Sequence, residues 1–137
     1  KLKKAKIPYC IGRIFSFTHK KQTSDFVIPG IIKKAKSNKK IAYFENTNHY
    51  RDFLSTSDVC KAINILFKKK ANGIYNIGSG KKILISHIIK LIFKKYKKIY
   101  RINEKNKSTW LVADINKIKK FKWKPKNNIL SIINELT

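Results

Sequence analysis

The 137-residue sequence predicts an α/β fold, and three observations carry that expectation. Ile7-Pro8-Tyr9-Cys10-Ile11-Gly12-Arg13-Ile14-Phe15 is a nearly continuous apolar run, the pattern of a strand buried on both faces in a parallel sheet. Val27, Ile28, Ile31, Ile32 and Ala35 recur at helical spacing shortly after it. Short apolar runs then alternate with helical patterns to the end of the chain, as helices packed on a sheet require. No internal repeat and no long linker divides the chain.

In order, a Lys-rich helix end precedes the first strand, and Ser16 to Ser24 is polar and turn-like. The helix from Phe26 tolerates Pro29 in its first turn and ends at Lys36–Lys40. Ile41 to Phe44 is a short strand, and Glu45 to Tyr50 a loop. Phe53-Leu54 suits a short buried strand. Ser57 and Asp58 supply cap chemistry for a helix over 58–69, with Val59, Ala62, Ile63, Leu66 and Phe67 on its apolar face. Asn72-Gly73 stops that helix, and Ile74 to Ile77 is a second buried strand. Beyond Gly78-Ser79-Gly80, Ser86 caps a helix carrying Ile88, Ile89, Leu91, Ile92 and Tyr96. Ile99 to Ile102 is a strand and Asn103 to Thr109 a loop. The tail holds a small helix near Asp114–Phe121, a Trp123-Lys124-Pro125 turn and a helix over Ile129–Leu136.

Composition narrows the function. Hydrophobic residues make up 42%, enough for one domain's core, and no apolar run reaches membrane-spanning length. No signal peptide is visible, and the chain, which has no Met and begins at Lys1, reads as a fragment or a trimmed chain. The net charge of +26 invites a nucleic-acid reading. Lysines are spread from end to end, however, and of the 33 basic residues only Arg13, Arg51 and Arg101 are arginine, the residue base-edge readout favours. Solvated lysines with non-specific affinity for polyanions are the expectation. Cys10 and Cys60 lie apart in apolar segments, which suggests two buried, reduced thiols in a cytosolic protein. His19, His49 and His87 are scattered, so no metal site is suggested.

Three patterns bear on chemistry. Arg51, beside a strand leading into a capped helix, reads either as half of a surface Arg51-Asp52 ion pair or as a planar fork for a phosphate or carboxylate. Gly78-x-Gly80 begins like a dinucleotide fingerprint, with Glu104 as a ribose-binding acid. The third glycine is missing, position 83 being Ile, and the helix starts too late to meet a pyrophosphate. No tyrosine has lysine four residues on, the spacing of a tyrosine-lysine proton-transfer pair, and no nucleophile triad is assembled.

Blocks in a fixed order resemble the C-terminal half of the extended short-chain dehydrogenase/reductases, the NAD-dependent epimerase/dehydratase family of nucleotide-sugar metabolism. Pro8 to Ser16 with Gln22 is similar to a strand ending Arg-x-Phe-Asn and a Gly-Pro-x-Gln loop, with Ser16 in place of Asn and His19-Lys20 in place of Gly-Pro. Phe26-Val27-Ile28-Pro29 resembles the segment that follows. Arg51 to Ala62 matches Arg-Asp-Phe-(Leu/Ile)-x-(Val/Thr)-x-Asp-Val-x-x-Ala, and Gly73 to Gly80 matches Gly-x-Tyr-Asn-(Ile/Val)-Gly-Ser-Gly. Ala113-Asp114-Ile115 through Trp123-Lys124-Pro125 resembles a final helix and Gly-Trp-x-Pro turn, with Lys122 replacing glycine.

The resemblance implies the last strands of a Rossmann-like parallel sheet plus a small α/β substrate-binding subdomain, with residues 1–137 as one C-terminal portion. It implies an NAD or NADP enzyme acting on a nucleotide-diphospho-sugar, in the cytoplasm, as a possible homodimer when complete. The N-terminal half, with its glycine-rich loop and Tyr-x-x-x-Lys pair, is absent, so no catalytic residue is assigned and the chain is expected to be inactive alone. By position, Arg51 would grip the diphosphate, Val27, Ile28 and Pro29 would line the nucleotide pocket, and Phe15 and Ser16 would lie beside nicotinamide and sugar. The competing expectation is a non-catalytic basic protein that binds polyanions, or a degenerate nucleotide-sugar binder.

Overall fold

The computed structural model describes residues 7–137, and the expected Lys-rich helix end lies outside them. The first strands pair with strands far along the chain. β1 (Cys10–Ile14) lies parallel to β6 (Gly73–Ile77), and β2 (Ser16–Thr18) parallel to β5 (Phe53–Ser55). β3 (Ile41–Glu45) lies parallel to β8 (Ile99–Asn103). β4 (His49–Arg51) is flanked by β7 (Ile83–Leu84), antiparallel, and β9 (Thr109–Leu111), parallel. Parallel partners need helical crossovers. These are supplied by α1 (Val27–Lys36), α2 (Thr56–Lys68) and α3 (Ile85–Lys95), with α4 (Asn116–Lys119) and α5 (Ile129–Leu136) closing the chain.

Two apolar cores result. Ile28, Ile31, Ile32 and Ala35 of α1 meet Ile88, Ile89, Ile92 and Phe93 of α3 and Ile133 of α5 in the first. Val59, Ala62 and Leu66 of α2 meet Tyr75, Ile77, Ile118 and Trp123 in the second. Successive strand residues face opposite sides, so β5 sends Phe53 into one core and Leu54 into the other. This short strand is the seam between them.

Several expectations are corrected. β1 is a strand but is not buried: all five residues are exposed, because only one of its edges is paired among the described residues and little covers its faces. Cys10, on β1, is exposed for that reason. On α2 the covered stripe is Val59, Ala62 and Leu66, while Ile63 and Phe67 are 49% and 83% exposed. They form a separate outward stripe with Cys60, also exposed, one helical step away from the face that meets β5. The α2 cap is Ser55, not Ser57: its Oγ accepts from Asp58 N at 3.1 Å, placing Asp58 in the first turn. The helix ends at Lys68 with Lys69 as its cap, within one residue of the expected end. Ser86 caps nothing, because the chain passes from β7 directly into α3 with Leu84 at the boundary. The loops expected around His49 and Thr109 contain β4 and β9, whose mutual pairing sequence periodicity does not reveal. No helix among the described residues is long and apolar enough to cross a membrane.

Candidate functional site

The site forms where β1 ends. Phe15 N donates to Ile77 O at 2.9 Å, extending the β1–β6 pairing by one residue before the chain enters β2. The first turn of α1 returns over this point. Phe15, Ser16, Val27, Ile28 and Pro29 therefore line one cavity of about 450 Å³, with Leu111 of β9 on its wall. A second cavity of about 740 Å³ shares Phe26 and Val27 with the first and is bounded by Tyr43, Phe44, Asn46 and Thr47.

Arg51 does not line either cavity; it sits opposite Leu111 in the β4–β9 register. It is half-buried, and Nη1 donates to Tyr50 O at 2.7 Å and to Thr109 Oγ1 at 3.3 Å. Among the described residues Nε and Nη2 donate to nothing, so part of the fork stays free for an anion. Thr109 in turn donates its backbone N–H to His49 Nδ1 at 3.2 Å, tying β4 and β9 together beside the guanidinium.

The surface Arg51-Asp52 pair does not exist. Neighbouring residues of an extended chain point to opposite sides, and Asp52 is fully buried. Its carboxylate accepts from Ser79 N at 2.6 Å, Gly80 N at 2.9 Å and Ala113 N at 3.1 Å. This is the residue that sequence reasoning missed, and the adjacent glycine pair was its signal. A Cβ on Gly78 would stand 2.3 Å from Ala113 Cβ and 2.7 Å from Asp52 Oδ2. Gly80 holds φ +68. The glycines thus let a carboxylate approach, and the amides a pyrophosphate would use are already occupied.

Two other acids hold backbone. Asp58 accepts from Ser55 Oγ at 3.0 Å, Lys126 N at 3.1 Å, Asn127 N at 3.0 Å and Asn127 Nδ2 at 3.0 Å. Burial pushes its pKa up, but the hydrogen bonds from Lys126, Asn127 and Ser55 together outweigh burial and hold it below the ordinary value. Glu104 is not free for a ribose. It accepts from Thr47 Oγ1, Thr47 N and Asn48 N. The Thr47 hydroxyl bond is the largest influence on its pKa, which lies below the ordinary value despite an opposing push from desolvation.

The NAD dependent epimerase/dehydratase family model matches residues 2–78, more than half of the chain. The chain belongs to that family. Solved structures agree on the fold. The dTDP-glucose 4,6-dehydratase of Bacillus anthracis str. Ames, in complex with NAD, has a TM-score of 0.85 at 23% identity, over 98% of this chain and 45% of that one. UDP-glucuronic acid 4-epimerase from Bacillus cereus, in complex with NAD, has a TM-score of 0.80 at 25% identity, over 98% and 44%. RMD from Pseudomonas aeruginosa, complexed with NADPH, has a TM-score of 0.85 at 18% identity, over 96% and 48%. The chain spans less than half the length of each. No curated protein sequence matches it. Family membership makes the β1–β6 pair part of a Rossmann-like α/β architecture from an NAD-dependent family.

Proposed function

We propose that residues 1–137 are the substrate-binding portion of an NAD(P)-dependent nucleotide-sugar epimerase, dehydratase or reductase, inactive until joined by a cofactor-binding half. The observation that carries this reading is the pair of cavities meeting at Phe26 and Val27, with the partly free Arg51 fork on the strand beside Leu111. In it, Phe15 and Ser16 flank the reacting sugar, and Val27, Ile28 and Pro29 wall the nucleotide side. Arg51 holds the diphosphate through charge-assisted bonds. The aromatic walls of the larger cavity, Tyr43 and Phe44, suit a flat base.

The described residues fit only the edge of a dinucleotide. Phe15 and Ser16 offer a wall for nicotinamide, which when bound supplies hydride transfer. Asp52 already occupies the Ser79 and Gly80 amides, so these residues hold no diphosphate cradle for the cofactor. The edge of β1 left unpaired among the described residues, with Ile11 and Ile14 exposed at 42% and 43%, and the Ile63–Phe67 stripe of α2 are the surfaces such a cofactor-binding half would cover.

The test pairs this chain with a cofactor-binding half of the family and titrates UDP-glucose and dTDP-glucose. A charged hydrogen-bonded contact is worth roughly 1.5–3 kcal/mol, so Arg51→Ala should weaken binding about tenfold to a hundredfold. Arg51→Lys should restore only part, because an ammonium lacks the planar fork. Unchanged affinity in Arg51→Ala would sink the assignment.

A further inference from the structure

Given the reading of Arg51 as the residue that holds the substrate's diphosphate, we infer that His49 joins it in a proton-linked anion grip. The diphosphate binds together with a proton, which the imidazole takes up.

The placement comes from β4. His49 and Arg51 are two residues apart on that strand and therefore share a face. Across the parallel β4–β9 register His49 stands opposite Thr109, and Arg51 opposite Leu111, which lies on the wall of the smaller cavity. Thr109 couples the two side chains. Its Oγ1 accepts from Arg51 Nη1 at 3.3 Å and lies 3.0 Å from His49 Nδ1, and its backbone N–H donates to the same ring nitrogen at 3.2 Å. One hydroxyl thus separates the imidazole from the guanidinium. A ring nitrogen that accepts from an N–H carries no proton, so the neutral tautomer holds its proton on Nε2.

The other charged groups nearby leave this charge change to the anion. Glu104, in the loop after β8, faces His49, but its carboxylate already accepts from Thr47 and Asn48. Lys82 lies on the far face of the strand, over the Tyr50 and Trp110 rings at 4.2 and 5.2 Å. β7 and β9 bring no ionisable side chain, and those of α3, which packs against β4, are exposed. A second cation beside Arg51 meets repulsion across one hydroxyl. A doubly charged anion on the free part of the fork turns that repulsion into attraction. Binding then draws a proton onto His49, and by reciprocity a protonated His49 tightens binding by the same factor. The remaining histidines have no such link. His19 Nδ1 accepts from Lys21 N, and His87 is an exposed residue of α3.

The experiment titrates UDP-glucose, whose diphosphate keeps a fixed charge near neutrality, into the full chain at two pH values. Affinity should be about threefold to tenfold higher at about pH 5.5 than at about pH 8. By NMR at about pH 7, the His49 ring resonances should move toward their low-pH positions as UDP-glucose or inorganic sulfate is added. Those of His19 and His87 should move far less. His49→Gln keeps an acceptor for the Thr109 N–H but cannot titrate, and it should flatten the pH dependence. His19→Gln and His87→Gln should retain it. Circular dichroism checks that the variants keep their fold. Equal UDP-glucose affinity at the two pH values, a pH dependence that survives in His49→Gln, or a His49 ring that responds no more than His19 and His87 overturns the inference and leaves the reading of Arg51 standing. A His49 ring that responds to sulfate but not to UDP-glucose does the reverse: it supports the His49–Arg51 grip and removes the nucleotide sugar from it.

Discussion

Asp52 and Asp58 show how single carboxylates hold this fold. Asp52 collects three backbone N–H groups from two segments remote in sequence, at Ser79, Gly80 and Ala113. Asp52→Ala leaves those donors buried without an acceptor and should cost about 3 kcal/mol, read as a lower urea midpoint. A loss below about 0.5 kcal/mol, the range of ordinary surface substitutions, would refute its role. Asp58 gives a pH signature. Its folded pKa lies below its unfolded value, so its stabilisation is fully present above the unfolded pKa, about 3.9. That contribution fades as pH falls from there through the folded value. Asp58→Asn should therefore flatten the acid limb of the stability–pH curve below about pH 4.5. Neither role is visible in one dimension, since an aspartate beside arginine reads as a surface pair until its partners are placed.

At the scale of elements, two helices end without the glycine that usually marks such a stop. Lys70 and Lys97, at φ 46° and 51°, occupy the left-handed position after α2 and α3. Around them, Ala71 N donates to Leu66 O and Lys70 N to Phe67 O, and Lys98 N and Lys97 N repeat the pattern on Phe93 and Lys94. These are Schellman ends, in which glycine is the usual residue at that position. With lysine there the left-handed position carries no sequence signal of its own, and Asn72-Gly73 just beyond it is what marks the end of α2. Lys70→Gly and Lys97→Gly should each raise stability by about 0.5–1 kcal/mol, a Tm gain of roughly 2–4 °C in a chain of this size. Lys122, at φ 58°, carries the same backbone strain, and Lys122→Gly should likewise stabilise the fold. Helical stripes were far more legible: the Ile28–Ala35 face of α1 and the Ile132–Ile133 face of α5 are buried as their spacing demands.

For the molecule as a whole, β5 decides cooperativity. Phe53 and Leu54, adjacent in sequence, belong to different cores, so neither core can open without disturbing the strand they share. Ile133→Ala in the first core and Ile118→Ala in the second should each cost about 2–5 kcal/mol. Both should shift one common unfolding transition in circular dichroism and in Trp fluorescence. Two separated transitions would show that the cores fold independently.

The helices and the longer strands, the apolar stripes and the ordered motif blocks that place the chain in its family were legible in the sequence, whereas the short strands β2, β4, β7 and β9 were not. The legible features are local or strictly ordered signals, which spacing along the chain encodes directly. Only the tertiary structure decided what each face meets. It left β1 uncovered and both cysteines exposed, and it turned Asp52 inward, away from Arg51. It also brought Lys61 and Lys68 to Lys122, Lys124 and Lys126. Periodicity tells which residues share a face. The neighbour of that face is set by contacts between distant residues, and those contacts also determine burial and local charge.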